Sequence, residues 1–226
     1  MDLAKHCIDV GVRTNNMDAM LEFWTKEVGL PYSELLKVGG GVHQHRLALK
    51  GSIFKLNHAR SLLPENTPTG YRELLIASDV SETTPLTDPD GNKVTLVPAG
   101  LHDITNIGMK MVVRSMEDAK RFFTKTVQAE PLANNSFKWG TTVFLLEEDK
   151  DAPIGGGMQG AGYRYVTVQV FKVDKEHAQA LERGALEGST PVTLGTTARI
   201  SFITDPDNNW VEISQRKSLT GDLSDE

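Results

Sequence analysis

The chain has 226 residues, enough for one large domain or two of about 110. Its 24 basic and 30 acidic residues give a net charge of −6, which argues against a nucleic-acid-binding face. The single cysteine, Cys7, excludes an intrachain disulfide framework and a thiolate metal cluster, and it fits a reducing compartment.

The first element is a strand, because CIDVGVRT (7–14) alternates apolar and polar residues. NMDAMLEFWTKEVG follows from Asn16. It spaces Met17, Met20, Leu21, Trp24 and Val28 along one helix face, with Asn16 as the N-cap. VHQHRLALK (42–50) and SIFKLNHA (52–59) read as strands, as does GYRELLIAS (70–78). The stretch from Val80 to Thr87 leaves no room for a helix before the turn and strand TDPDGNKVTLV (87–97). Residues 99–105 join the two halves. IGMKMVVR (107–114) is a strand, SMEDAKRFFTKTVQ a helix capped by Ser115, and SFKWGTTVFLLEE (136–148) strand again. GYRYVTVQV (162–170) precedes a helix over Lys175–Leu186 capped by Asp174, and TDPDNNWVEIS (204–214) closes the pattern.

Three pairs of these segments match each other, which marks an internal duplication. They are TDPDGNKVTLV with TDPDNNWVEIS, GYRELLIAS with GYRYVTVQV, and NMDAMLEFWTKEVG with SMEDAKRFFTKTVQ. In both Asp-Pro-Asp turns, Pro presets φ and the following Gly or Asn tolerates φ > 0. The order strand–helix–strand–strand–strand begins four times, near His6, Tyr71, Asn106 and Tyr163. The expected fold is α+β, with paired βαβββ modules and a second unit lacking its helix. The expected domains are 1–100 and 101–226, the latter ending in a short polar tail.

Paired βαβββ units closing on a DPDG turn and a strand resemble the vicinal oxygen chelate superfamily, the glyoxalase/bleomycin resistance/dioxygenase fold. The resemblance spans nearly the whole chain and is specific for fold, not for reaction. It implies that paired units curl into a cup. Metal-dependent members take ligands from the first strand of a unit, often His, and from the last strand, usually Glu. Two substrate oxygens then chelate the metal, which stabilises an enolate or oxyanion. Carried over one at a time, the opening and closing positions are Asp9 and Lys55 in unit one and Glu73 and Thr95 in unit two. They are Gly108 and Leu145 in unit three, and Tyr165 and Glu212 in unit four. Only Glu212 is a standard ligand at its standard place. A cup shared by units one and four would be polar, and unit three would offer no side-chain ligand.

Two chemistries are expected in that cup. Asp9, Glu212 and His45 could hold a divalent metal (Mg, Mn, Fe or Zn), with the carboxylates favouring Mg²⁺ or Mn²⁺. Alternatively no metal is needed, and Glu212 acts as base with Tyr165 or Lys55 as donor. His43 and His45 stand at i, i+2 and share a strand face, as ligands or bases, or as a solvated pair beside Gly39–Gly41. Arg13 shares strand parity with Asp9 and is a candidate for an anionic substrate group, or else a surface arginine at the strand end. His43 and Asn57 complete the expected substrate contacts. GGGMQGAG (155–162) lacks the GK[ST] ending of a phosphate loop and reads as a linker or flap. Arg72 and Arg164 are expected to hold the carboxylates of the Asp-Pro-Asp turns.

The implied function is a small-molecule enzyme of the lyase, isomerase or oxygenase class, acting on an oxygenated metabolite between units one and four. The alternative is a metal-free protein that binds or sequesters a small ligand. A cup used only for protein contact carries less, because Asp9, Lys55 and Glu212 would each need a reason to be buried. No apolar run reaches the ~18 residues that cross a membrane, and the opening MDLAKHCIDVGV lacks a signal-peptide core. A cytoplasmic monomer or homodimer is expected, with no nucleic-acid or membrane partner.

Overall fold

Alternation in the opening strand decides which face meets a helix and which faces the cup. In β1 (Leu3–Thr14), Ile8, Val10 and Val12 point into an apolar cluster, and Asp9, Gly11 and Arg13 point the other way. The chain repeats this design four times in the computed structural model, which describes residues 1–223; the end of the polar tail, 224–226, lies outside the described residues.

Unit one continues with α1 (Met17–Glu22), extended by a wider π-helical turn over Phe23–Glu27, then β2 (Tyr32–Lys37), β3 (Val42–Leu49) and β4 (Ser52–Ala59). Unit two is β5 (Tyr71–Ser78), β6 (Thr84–Thr87) and β7 (Lys93–Pro98), with no helix between its first two strands. Unit three is β8 (Ile107–Val113), α2 (Met116–Arg121, with a π turn over Phe122–Thr126), β9 (Glu130–Pro131), β10 (Ser136–Trp139) and β11 (Thr142–Glu148). Unit four is β12 (Gly162–Val170), α3 (Val173–Glu182), β13 (Leu186–Leu194), β14 (Ala198–Thr204) and β15 (Trp210–Arg216), followed by a single turn, α4 (Lys217–Thr220). The class is α+β, as expected.

The sheets do not follow the halves of the sequence. Units one and four form an eight-stranded sheet, β13-β14-β15-β12-β1-β4-β3-β2. Units two and three form a seven-stranded sheet, β6-β7-β5-β8-β11-β10-β9. Each sheet therefore draws strands from both sides of residue 100. One apolar cluster joins their helix-facing sides, from Trp24 and Phe54 on the larger sheet to Phe123 and Phe144 on the smaller. Trp24 stacks on Phe54 at 3.9 Å, and Phe123 stacks on Phe137 at 5.0 Å, so the duplicated FWTKE and FFTKT turns do the same job in each half.

Two helix starts depart from expectation. Ser115 caps α2, its hydroxyl accepting from the Asp118 N–H at 3.2 Å. Asn16 makes no side-chain cap, and its own N–H bonds back to the Thr14 hydroxyl at 2.8 Å. α3 starts earlier than the 175–186 reading, with Lys172 at the cap position. Asp174 lies in its first turn, where its carboxylate takes both the Nε (2.5 Å) and Nη2 (2.7 Å) of Arg199.

The two Asp-Pro-Asp turns are built alike. Asp88 accepts from the N–H of Asp90 (3.0 Å) and Asn92 (2.8 Å), and Asp205 from the N–H of Asp207 (2.9 Å) and Asn209 (2.8 Å). The amide of Asn92 or Asn209 closes each turn from the side. Burial pushes both carboxyls up against these bonds, and Asp205 reaches about 7. A folded-state value above the ordinary 3.8 means that the folded chain keeps a proton the unfolded chain has lost. That contribution is present below pH 4 and disappears as pH rises through 7. Wild type should therefore lose stability relative to Asp205→Asn between about pH 4 and 7, by up to ~1.4 kcal/mol per pH unit. Denaturant midpoints across that range check it, and parallel curves for the two proteins would refute it.

Candidate active site

Register across three neighbouring strands gathers the polar face of the larger sheet. β1 runs antiparallel to β12 with Asp9 opposite Thr167 and Gly11 opposite Tyr165. It runs parallel to β4 with Gly11 beside Lys55 and Arg13 beside Asn57. β12 in turn runs parallel to β15 with Thr167 beside Glu212. The Lys55 ammonium donates to the Thr167 hydroxyl (2.7 Å) and to Glu212 Oε2 (2.9 Å), and the Thr167 hydroxyl donates to the same Oε2 (2.8 Å). The Lys55 and Glu212 side chains are only 3 % and 11 % exposed. No donor among the described residues reaches Glu212 Oε1.

A second chain of bonds runs along the next strands. The Tyr165 hydroxyl accepts from Asn57 Nδ2 (3.1 Å), Asn57 Oδ1 accepts from Gln44 Nε2 (2.9 Å), and Gln44 Oε1 accepts from Arg46 Nη1 (3.1 Å). Arg46 Nε lies 3.1 Å from Glu34 at the rim. Asp9 is held on both oxygens: Oδ1 by the Lys5 ammonium and the Ile53 N–H (2.8 Å), Oδ2 by Gln169 Nε2 (3.2 Å). The Lys55 ammonium also lies 5.5 Å from the centre of the Tyr165 ring.

The cup is electropositive inside an acidic protein. Lys5, Arg13, Arg46, Lys55 and Arg216 stand against Asp9, Glu34 and Glu212. Burial lowers the Lys55 pKa, opposed chiefly by the charges of Glu212 and Asp9. Burial also pushes the Tyr165 hydroxyl well up, with Glu212 adding to the shift, so the phenol stays a proton donor. Arg13 is buried beside Tyr165, and its Nε has no hydrogen-bonding partner.

Residues 102–213 match the sequence profile of the Glyoxalase/Bleomycin resistance protein/Dioxygenase superfamily. This half of the chain belongs to the vicinal oxygen chelate superfamily. Glyoxalase I from Zea mays shares 16 % identity over 98 % of this chain and 96 % of its own, with a TM-score of 0.73. A putative dioxygenase from Bacillus subtilis shares 12 % identity over 99 % and 92 %, with a TM-score of 0.64. The cppA protein of Streptococcus pneumoniae shares 10 % over 92 % and 97 %, with a TM-score of 0.52. At such identities the likeness is one of fold. No curated protein matches the sequence.

Of the expected site residues, Asp9, Arg13, Lys55, Asn57, Tyr165 and Glu212 share the cup face. His43 and His45 do not. β3 pairs antiparallel with β4 so that Arg46 faces Lys55 and Gln44 faces Asn57, which turns both histidines to the opposite side. There His43 lies opposite His58, and His45 Nδ1 lies 3.3 Å from the Tyr32 hydroxyl. Burial lowers the His45 pKa, with His58 and His43 adding to the effect. Sequence reasoning missed Gln44, Arg46, Thr167, Gln169 and Arg216. The available signal was parity: Thr167 and Gln169 follow Tyr165 at i+2 and i+4.

These residues do not fit the divalent metal that the superfamily implies. His45 faces away, both Asp9 oxygens are engaged, and Glu212 Oε2 already holds an ammonium. No group of three or more His, Cys, Asp or Glu converges among the described residues.

The smaller sheet has a different cup. Leu101 and Ile104, from the segment between the halves, pack against Leu75, Ala77, Val97 and Val143. The Ile104 side chain fits because position 108 is Gly, where a Cβ would stand 2.6 Å from Ile104 Cδ1. A cleft of about 610 Å³ remains beside this plug, lined by Arg72, Glu73, Lys110 and Glu147 among others. Its Lys110 is 48 % exposed, so its charges are solvated and need no ligand to explain them. Arg72 lines that cleft, and Arg164 binds the carbonyls of Thr67 (2.7 Å) and Ala161 (3.0 Å); the turn carboxylates are held by Asn92 and Asn209 instead. GGGMQGAG is a fastened connection: Gly155 N–H bonds to the Asp207 carbonyl (2.7 Å), and Trp210 Nε1 donates to the Gly156 carbonyl (3.0 Å).

Gly11 sets the position of Tyr165. A Cβ there would lie 2.3–2.6 Å from three ring carbons, so the ring lies directly on the β1 backbone. Gly11→Ala should displace Tyr165, break its bond with Asn57 and cost roughly 1–3 kcal/mol. Denaturant unfolding checks the loss, and an unchanged midpoint would show that Tyr165 does not depend on Gly11.

Proposed function

We propose that this chain is an enzyme that moves a proton on a small carboxylic acid carrying a neighbouring carbonyl or hydroxyl group. The observation that carries this reading is the buried Lys55–Thr167–Glu212 cluster beside an unpaired Arg13. An ammonium has three N–H donors. Thr167 and Glu212 take two of those of Lys55, which leaves one for a substrate oxygen. Glu212 Oε1 is free to accept a proton. Arg13 offers an unused guanidinium for the carboxylate, and the Tyr165 hydroxyl beside it adds a donor.

Glu212 takes the proton from the carbon next to the substrate carbonyl. The C–H electron pair forms a C=C bond to the carbonyl carbon and the C=O π pair moves onto oxygen, where the Lys55 ammonium stabilises the negative charge of the enolate. Where the deprotonated carbon bears a hydroxyl, transfer of the hydroxyl proton to the enolate oxygen and return of the proton from Glu212 to the former carbonyl carbon complete an isomerisation; where the carbon on its other side bears a leaving group, collapse of the enolate expels that group and completes an elimination. These outcomes fall in the isomerase and lyase classes, which the donor set favours over oxygenase chemistry.

The test is hydrogen–deuterium exchange at the acidic carbon of small 2-oxo and 2-hydroxy acids in D₂O, followed by NMR. Wild type should catalyse exchange, and Glu212→Gln should abolish it. Arg13→Gln should raise the half-saturating acid concentration roughly 10- to 100-fold, the worth of one charge-assisted contact. Exchange that survives Glu212→Gln would overturn the reading. Saturable binding without exchange would favour a protein that sequesters its ligand.

A further inference from the structure

We infer that the Lys55 ammonium is a resident cation, fixed in the place that a divalent metal takes in metal-dependent members of the superfamily. Positions 55 and 212 are the closing-strand positions of the two units that share the cup. A metal between such positions needs carboxylates or imidazoles on both sides. Here one side supplies a carboxylate and the other supplies the cation itself. Lys55 Nζ, Thr167 Oγ1 and Glu212 Oε2 form a closed triangle with sides of 2.7, 2.8 and 2.9 Å. A divalent ion on Glu212 would have to enter beside this ammonium. It would also meet the positive charges of Arg46 and Arg216, with no second carboxylate free to offset them. Asp9 cannot serve, because Lys5, Ile53 and Gln169 occupy it.

The smaller sheet uses the same residue types in a more open arrangement. Glu73 Oε2 accepts from the Lys110 ammonium at 2.8 Å, and Glu73 Oε1 from the Thr95 hydroxyl at 2.6 Å. Glu73 and Thr95 are the opening and closing positions of unit two, whereas Lys55 and Glu212 are both closing positions. Each sheet thus neutralises its carboxylate with a lysine and a threonine from its own strands. In the larger sheet the ammonium is sealed from water, which strengthens its field on any oxygen placed against it.

The inference extends the proposed acid–base cup, but its test needs no substrate, so the two can fail separately. Protein purified without chelator should carry far less than one equivalent of Mg, Mn, Fe or Zn by elemental analysis. Its melting temperature should not respond to added Mn²⁺ or Zn²⁺. Lys55→Glu should gain one equivalent of Mn²⁺ or Zn²⁺ and melt higher with the ion, and Lys55→Glu combined with Glu212→Gln should lose that gain. If Lys55→Glu does not fold, Lys55→Ala provides the readout. Methylammonium should raise its melting temperature, tetramethylammonium should not, and wild type should ignore both. Stoichiometric metal in wild type, lost on Glu212→Gln, overturns the inference. So does a folded Lys55→Glu that binds neither ion, or a Lys55→Ala indifferent to methylammonium.

Discussion

The antiparallel join between β1 and β12 is the contact on which the candidate site depends. It unites the first unit with the last and brings Lys55 within hydrogen-bonding reach of Glu212, 157 positions away. Neither unit could bury its polar face alone, because each contributes one charge of the pair. Ordering so distant a pair carries a loop-closure cost. The apolar cluster on the other face, with Val10, Val12, Val166 and Val168 from these same two strands, offsets it. Packing on one side of the sheet therefore fixes chemistry on the other.

That arrangement has an energetic consequence. A buried ion pair recovers its desolvation cost only when the remaining donors and acceptors are satisfied, and removing one partner typically costs 3–5 kcal/mol. Thr167 meets this condition in part by bridging ammonium and carboxylate, while one Lys55 N–H and Glu212 Oε1 keep no partner among the described residues. Arg13 does not meet it. Its Nε is buried beside Tyr165 without a hydrogen-bond partner, an interaction left unspent. Stability alone would favour apolar residues at these positions, so the cluster reads as a site held at the expense of stability.

The repeats made the fold readable before any coordinates. Matching TDPDGNKVTLV to TDPDNNWVEIS and GYRELLIAS to GYRYVTVQV placed the strands, and the gap between Val80 and Thr87 announced the missing helix. The grouping of positions 9, 55, 165 and 212 came instead from the resemblance to the superfamily, as the cup that units one and four would share. The histidines were misplaced because i, i+2 spacing says that two residues share a face without saying which face. That choice is made by the partner strand, through Lys55 opposite Arg46, and no local pattern in VHQHRLALK records it. The helix starts were misread for a different reason: Asn16 has the chemistry of a cap, but its backbone (φ −99°, ψ 60°) lies outside the extended region that a capping residue usually takes.

The two cups show how one duplicated architecture supports different interiors. Both keep the Asp-Pro-Asp turn with the same bonds around Asp88 and Asp205, so the closing strand enters each sheet in the same register. What differs is the occupant of the concave face. Gly108 admits Ile104 from the segment joining the halves, and an apolar plug results. Gly11, one residue type at the comparable strand of unit one, admits the ring of Tyr165, and a polar floor results. In each case the missing side chain makes room for a specific neighbour, and the neighbour decides the dielectric of the cup. The Tyr165 ring centre lies 5.5 Å from the Lys55 ammonium, and the Lys55–Glu212 pair is almost wholly buried, so water screens it little. The absence of a Cβ at residue 11 thus sets where the Tyr165 ring, and with it the polar floor of the larger cup, can lie.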